Sequence, residues 1–227
     1  MKKPTNQLAL TLPLEPRFGR EDFLVSPSNE VAWETFERWP DWPGRMLLLL
    51  GPTGSGKSHL SAIWAQRARA RVLTGASLPL GDLPAIAAAG AVLVEDADRA
   101  PLAEAELFHL INLVQGSQGY LAITARAWPD AWGVQTKDLL SRLRLAPAIE
   151  IGEPDDALIR AVLVKLFLDR QLVVDTSVVE YLAVRIERSL DAARKVVELL
   201  DKEALAAGRA ITRPMAAEVL RRSGVDT

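Results

Sequence analysis

The sequence predicts an α/β fold, a mainly parallel sheet with helices on both faces, followed by a small all-helical domain. Three observations carry this. Apolar Met46 to Leu50 run straight into Gly51-Pro52-Thr53-Gly54-Ser55-Gly56-Lys57-Ser58, and a helical stretch begins at His59. That is the strand, glycine-rich loop and helix of a P-loop. Short apolar runs then alternate with helix-like segments as far as residue 152, the pattern of a parallel sheet with crossover helices. From Gly152-Glu153-Pro154-Asp155-Asp156 onward only helical patterning remains.

Composition narrows the classes. The 227 residues suffice for one sizeable domain with an appendage, and the apolar 49% contains only 5 Phe and 2 Tyr, so aliphatic residues must fill much of the core. A net charge of -2 gives no global basic field for nucleic acid. The absence of cysteine excludes disulfides, thiolate zinc sites and cysteine nucleophiles. Apolar runs are too short to span a bilayer and the start lacks a signal-like run, so a cytoplasmic protein with no membrane partner is expected.

In chain order, residues 1–20 read as a flexible tail, with prolines at 4, 13 and 16. Within it, Gln7-Leu8-Ala9-Leu10-Thr11-Leu12 alternates leucines, which suits either an edge strand or a peptide docking in a partner's groove. Residues 21–152 form the predicted nucleotide-binding base. Ser26-Pro27-Ser28-Asn29 reads as a turn and helix start, and Trp33 and Trp39 read as core residues before base-contacting ones. Further strands are expected at Arg71 to Thr74, Ala91 to Asp96 and Tyr120 to Thr124. A last one is expected at Leu145 to Ile151, where Pro147 argues against a central position. A helix is expected over Pro101 to Leu113 and a short one at Asp138 to Arg144. Residues 153–227 form the helical domain, with starts at Asp155, Asp175 or Thr176, Ser189 and Thr212, and a stop at Gly208.

Two stretches carry chemistry. Gly51, Gly54 and Gly56 free the backbone so that the loop's N–H groups can face an anion, with Pro52, Thr53 and Ser55 between them and His59 just beyond. The following helix offers its positive end, Lys57 can pair outer phosphates, and the Ser58 hydroxyl can ligate Mg2+. The second stretch is Ala91-Val92-Leu93-Val94-Glu95-Asp96, where a buried strand ends in two acids, the arrangement that anchors magnesium and orients water. The order is reversed from the usual one, so each carboxylate sits about one methylene from its expected reach.

Together these residues resemble an AAA+ P-loop NTPase module with its helical lid. More narrowly, Phe23-Leu24-Val25-Ser26-Pro27-Ser28-Asn29 is similar to the segment opening the ATPase domain of the bacterial initiator DnaA, and Gln7 to Leu12 is similar to the clamp-binding motif of the Hda family, the DnaA-related regulators. The chain leaves no room for DnaA's DNA-binding helix-turn-helix domain. The resemblance implies a nucleotide-bound negative regulator of replication initiation, with ADP expected ahead of ATP as the ligand, and with Mg2+. It would dock on the DNA-loaded sliding clamp through Gln7, Leu8, Leu10 and Leu12, and stimulate ATP hydrolysis by DnaA. It also implies residue roles: phosphate and Mg2+ at Lys57 and Ser58, the Walker B pair at Glu95 and Asp96, sensor 1 at Thr124, an arginine finger acting in trans at Arg142, and the lid's sensor 2 at Arg188. Two departures bear on this chain's own hydrolysis: Glu95 stands where the family has aspartate, and Arg126 stands where DnaA has an acid. A homo-oligomer remains open, and contact with DNA would be indirect, through the clamp. The rival readings are a self-sufficient AAA+ ATPase motor and a non-catalytic, nucleotide-dependent adaptor.

Overall fold

The computed structural model describes residues 19–76, 78, 82–99 and 101–223. The leucine-bearing segment Gln7 to Leu12 lies outside the described residues.

Among the described residues five strands form one all-parallel sheet in the order β2-β3-β4-β1-β5: β1 Met46–Leu50, β2 Arg71–Thr74, β3 Ala91–Glu95, β4 Tyr120–Ala125 and β5 Ala148–Glu150. β1 is buried along its whole length, as an unbroken apolar run in a parallel sheet requires. Side chains alternate across a strand, and this sorts β1 between two cores. Met46, Leu48 and Leu50 face the core shared with α3 Leu83–Ala87, α4 Glu104–Gly116 and α5 Lys137–Leu145. Leu47 and Leu49 face the opposite core, built with α1 Glu30–Glu37 and α2 Lys57–Ala68. In that second core Trp42 stacks on Trp64 at 5.1 Å, and Trp39 meets Trp64 edge-on at 6.5 Å. Trp39 is thus a core residue. Trp33 stacks on Phe23 at 5.0 Å, one ring behind the cavity described below.

The last strand is shorter than its expected span of 145 to 151. α5 runs on to Leu145, and Pro147 cannot donate, although its carbonyl still accepts from Leu48 N at 2.9 Å. Among the described residues β5 is accordingly an edge strand, pairing with β1 alone. α4 begins three residues after Pro101 rather than at it. The Glu104 carboxylate there accepts from Gln135 N and Thr136 N at 2.9 and 2.8 Å, tying the start of α4 to the start of α5. Asn29 stands before α1 without capping it. Its side chain accepts from Ser26 N and donates to Leu24 O, bracing the turn instead.

Beyond Gly152 come α6 Asp156–Asp169, α7 Thr176–Ala183, α8 Leu190–Ala207 and α9 Arg213–Ser223. The caps follow the sequence: Asp155 accepts from Leu158 N, Asp175 from Ser177 N and Ser189 from Ala192 N, while Gly208 closes α8 in the left-handed region at φ 58°. Leu163, Phe167, Leu182, Val196, Val197 and Leu200 fill a core separate from the two cores of the sheet. Among the described residues no helix is long and apolar enough to cross a membrane.

Candidate functional site

The loop leaving β1 lies at the carboxyl end of the sheet, between β4 and β5, where a parallel sheet offers its crevice. Its glycines are needed for space as well as conformation. A Cβ on Gly51 would stand 2.4 Å from Ile151 O. On Gly54, at φ 72°, it would stand 1.9 Å from Ser189 Oγ of the lid. Lys57 opens α2 and is buried, its ammonium donating to Gly51 O at 2.7 Å and Pro52 O at 2.8 Å. Burial pulls the Lys57 pKa down, and the charges of Asp96 and Asp98 partly oppose this. The Ser55 hydroxyl is buried and has no hydrogen-bond partner among the described residues. A glycine-lined curl with a buried cation, an unsatisfied hydroxyl and the N-terminus of a 12-residue helix has the chemistry of a phosphate cradle.

The two acids diverge. Glu95 turns inward: its Oε1 accepts from Ser61 Oγ at 3.3 Å, and the Ser58 hydroxyl also reaches it. Burial raises its pKa, an effect those hydroxyls counter and Asp96 reinforces. Ser58 and Glu95, two of the expected magnesium ligands, are therefore together. Asp96 sits in the left-handed region at φ 51°, and its carboxylate pairs with Arg99 at 3.2 Å. Its amide donates to Thr124 Oγ1 at 3.0 Å, so the fully buried Thr124 fixes the turn that carries the acids. Among the described residues no three or more His, Cys, Asp or Glu side chains gather as a metal cage. A magnesium ion held by Ser58 and Glu95 would draw its other oxygens from phosphates and water, as this ion commonly does. Ser61, buried beneath Glu95, was not singled out by the sequence. It lies on the inner face of α2, four residues after Lys57, and that spacing was the available signal.

The lid reaches the loop through the start of α8. Leu190 N donates to Gly54 O at 2.8 Å, and Ser189 packs against Gly54. Beside this junction is a cavity of about 240 Å³. Phe23, Leu24 and His59 line it from the base, Leu158, Leu190 and Arg194 from the lid. His59 Nε2 is 3.0 Å from Gly19 O, its ring meets Phe23 edge-on at 5.3 Å, and burial lowers its pKa. Arg188 is directed elsewhere, pairing with Asp156 at 2.9 Å on the lid surface, whereas Arg194, paired with Asp191, faces the cavity. The cavity residues are scattered over some 170 positions, and sequence reasoning had only the resemblance at Phe23 to Asn29 to find them.

Arg142 belongs to another edge. On α5 it donates to Gln115 Oε1 at 2.8 Å and lies 5.3 Å over the Phe108 ring. Among the described residues it forms no ion pair, while its neighbour Arg144 is paired with Asp130.

Comparison with known proteins agrees with this layout. The Hda lid-domain family matches residues 156–220. A search among curated proteins found no match. Among solved structures, domain III of the Thermotoga maritima replication initiation protein DnaA superposes with a TM-score of 0.78 at 20% identity, over 93% of this chain and 98% of that one. AMPPCP-bound DnaA from Aquifex aeolicus gives 0.70 at 17% identity, over 85% of this chain and 68% of that one. The Thermotoga maritima RuvB Holliday junction branch migration motor gives 0.66 at 16%, over 89% and 69%. Residues 156–220 are thus similar to an Hda lid domain, and the chain has the fold of DnaA domain III.

Proposed function

We propose that this protein restrains replication initiation by making DnaA hydrolyse its ATP. The observation that carries the reading is Arg142, a guanidinium with no neutralising carboxylate among the described residues, on the outer edge of a DnaA-type base under an Hda lid. An arginine so presented can enter the site of a stacked neighbour and neutralise charge developing on its γ-phosphate. In well-studied GTPases such a residue contributes roughly 10³ to 10⁵ in rate.

The chain's own nucleotide, ADP or ATP with Mg2+, has a structural task in this scheme. The amides of residues 51–58 and Lys57 hold its phosphates, while Ser58 and Glu95 hold the metal. The purine enters the cavity between Phe23, His59, Leu158 and Leu190, and so joins base to lid. The tail docks on the sliding clamp through Gln7, Leu8, Leu10 and Leu12, which raises the local concentration of Arg142 near DnaA on DNA.

The test is single-turnover decay of ATP pre-bound to DnaA, with and without DNA-loaded clamp. The arms are the intact chain, a variant lacking residues 1–14, and Arg142→Ala. Decay accelerated only when clamp, tail and Arg142 are all present supports the proposal. Unchanged decay in every arm, with ATP consumed by this protein alone, replaces it with a self-sufficient motor.

A further inference from the structure

The end of β4 stands at the mouth of the phosphate loop, because Gly51 N donates to Ala125 O at 3.2 Å. The next residue is Arg126. Its Nε donates to Asp98 Oδ2 at 2.9 Å, and the two side chains differ sharply in exposure, 49% for the arginine and 6% for the aspartate. The carboxylate is an interior anchor, and the cation it holds faces outward. A guanidinium gripped through Nε keeps both Nη groups for a second partner, and among the described residues neither has one. The buried Asp98 Oδ1 has no partner either, so the anchor is not part of a closed structural network.

Arg126 and Asp98 share their surroundings with the phosphate-binding lysine. Behind burial and Asp96, the charges acting on Lys57 include those of Asp98 and Arg126, ahead of that of Asp191 of the lid. Both Glu95 and Asp96 are engaged by other side chains, Ser61 and Arg99 respectively. Of the cations at the carboxyl end of the central strands, Arg99 is taken up by Asp96, Lys57 lies inside the loop and Arg126 stands at its rim. A planar fork of N–H donors matches the oxygens of a terminal phosphate.

We infer that Arg126, positioned by Asp98, is a second cation for the outermost phosphate of a nucleoside triphosphate, and that this pair makes the site distinguish a triphosphate from a diphosphate. The inference rests on the proposed nucleotide-binding role of the loop, and adds a specificity-determining residue to it. A diphosphate ends short of Arg126 and gains nothing from it. A triphosphate gains charge-assisted hydrogen bonds that favour it by about tenfold or more.

The experiment titrates the full chain, in Mg2+, with fluorescent ADP and with a fluorescent non-hydrolysable ATP analogue. The proteins are the wild type, Arg126→Ala, Arg126→Lys, Asp98→Asn and Lys57→Ala, each checked for an intact fold by circular dichroism. Arg126→Ala is expected to weaken the triphosphate by about tenfold while leaving the diphosphate within about twofold. Arg126→Lys restores the charge without the fork and recovers part of the preference. Asp98→Asn loses preference in the same direction by less, because the guanidinium remains without its anchor. Equal weakening of both nucleotides by Arg126→Ala, or no change in either, overturns the inference while wild-type binding that is lost in Lys57→Ala leaves the nucleotide site standing. Failure of the folded wild type to bind either nucleotide overturns both.

Discussion

The base and the lid meet the same demand, burial of apolar surface, by different means, and the phosphate loop lies where they join. In the base, every residue of β1 is buried and alternate side chains feed two cores on opposite faces of the sheet. In the lid, four helices close around one core that shares no residue with the other two. The parts meet through Leu190 N on Gly54 O, Ser189 against Gly54 and Lys165 reaching Asp22 at 2.6 Å, and both line the cavity beside the loop. A ligand in that shared cavity can bias the position of one part against the other.

The independence of the two cores can be broken directly. Leu182→Ala, at a fully buried lid position, should cost about 2–5 kcal/mol. All 6 tryptophans precede residue 152 and report on the base alone, whereas circular dichroism sees both parts. Urea unfolding of this variant should give an earlier transition by circular dichroism than by tryptophan fluorescence. Coincident curves would mean that base and lid unfold as one unit.

The junction itself comes next in size. Gly54→Ala places a methyl group at a positive φ and into Ser189 Oγ, with backbone strain of about 1–3 kcal/mol before the clash is counted. Nucleotide affinity should fall by more than tenfold, roughly the effect of 1.4 kcal/mol. Combining it with Ser189→Gly should recover part of the loss, since that removes the clash and leaves the strain. An additive double mutant would show that lid and loop are not coupled there.

A smaller effect is expected from Lys165→Met. The lysine bridges Asp22 of the base and Asp169 of the lid with side chains that are only partly buried, so about 1 kcal/mol or less is at stake. Proteolysis in the 152–156 connection should quicken without a change in the fluorescence melt of the base.

The least is expected from pH. Burial holds the His59 pKa below its ordinary 6.5, so the unfolded chain takes up this proton more readily than the folded one. Stability should thus fall as pH drops from about 6.5 toward the lowered folded value, and be unaffected by this residue above that window. His59→Gln should flatten that limb of the stability–pH curve in denaturant titrations.

The features legible from sequence were those made within a few residues. Asp155, Asp175 and Ser189 cap helices by bonding amides two or three residues on, so local pattern was enough. Pro147 marked an edge strand for a reason internal to proline. Ser26 to Asn29 marked the turn and helix start before α1, with Asn29 bracing it through Ser26 N and Leu24 O, both upstream, and not through the helix amides. The partners of the site acids were not legible: Ser61 lies 34 residues from Glu95, and Asp98 lies 28 from Arg126, distances over which no spacing rule operates.

What the sequence determined by itself is a glycine-rich loop between an apolar strand and a helix, the change from alternating strands and helices to helices alone, and the chemical nature of the groups at the strand ends. Backbone conformation, capping and burial periodicity are properties of adjacent residues, and they survive being read in one dimension. Only the tertiary structure decided that Arg194 and not Arg188 faces the cavity, that among the described residues Arg142 lacks a counter-ion while Arg144 has one, and that Arg126 is held by a buried carboxylate. The charge an arginine offers depends on which acid lies within about 4 Å of it, and the sheet order and the helix packing set that distance.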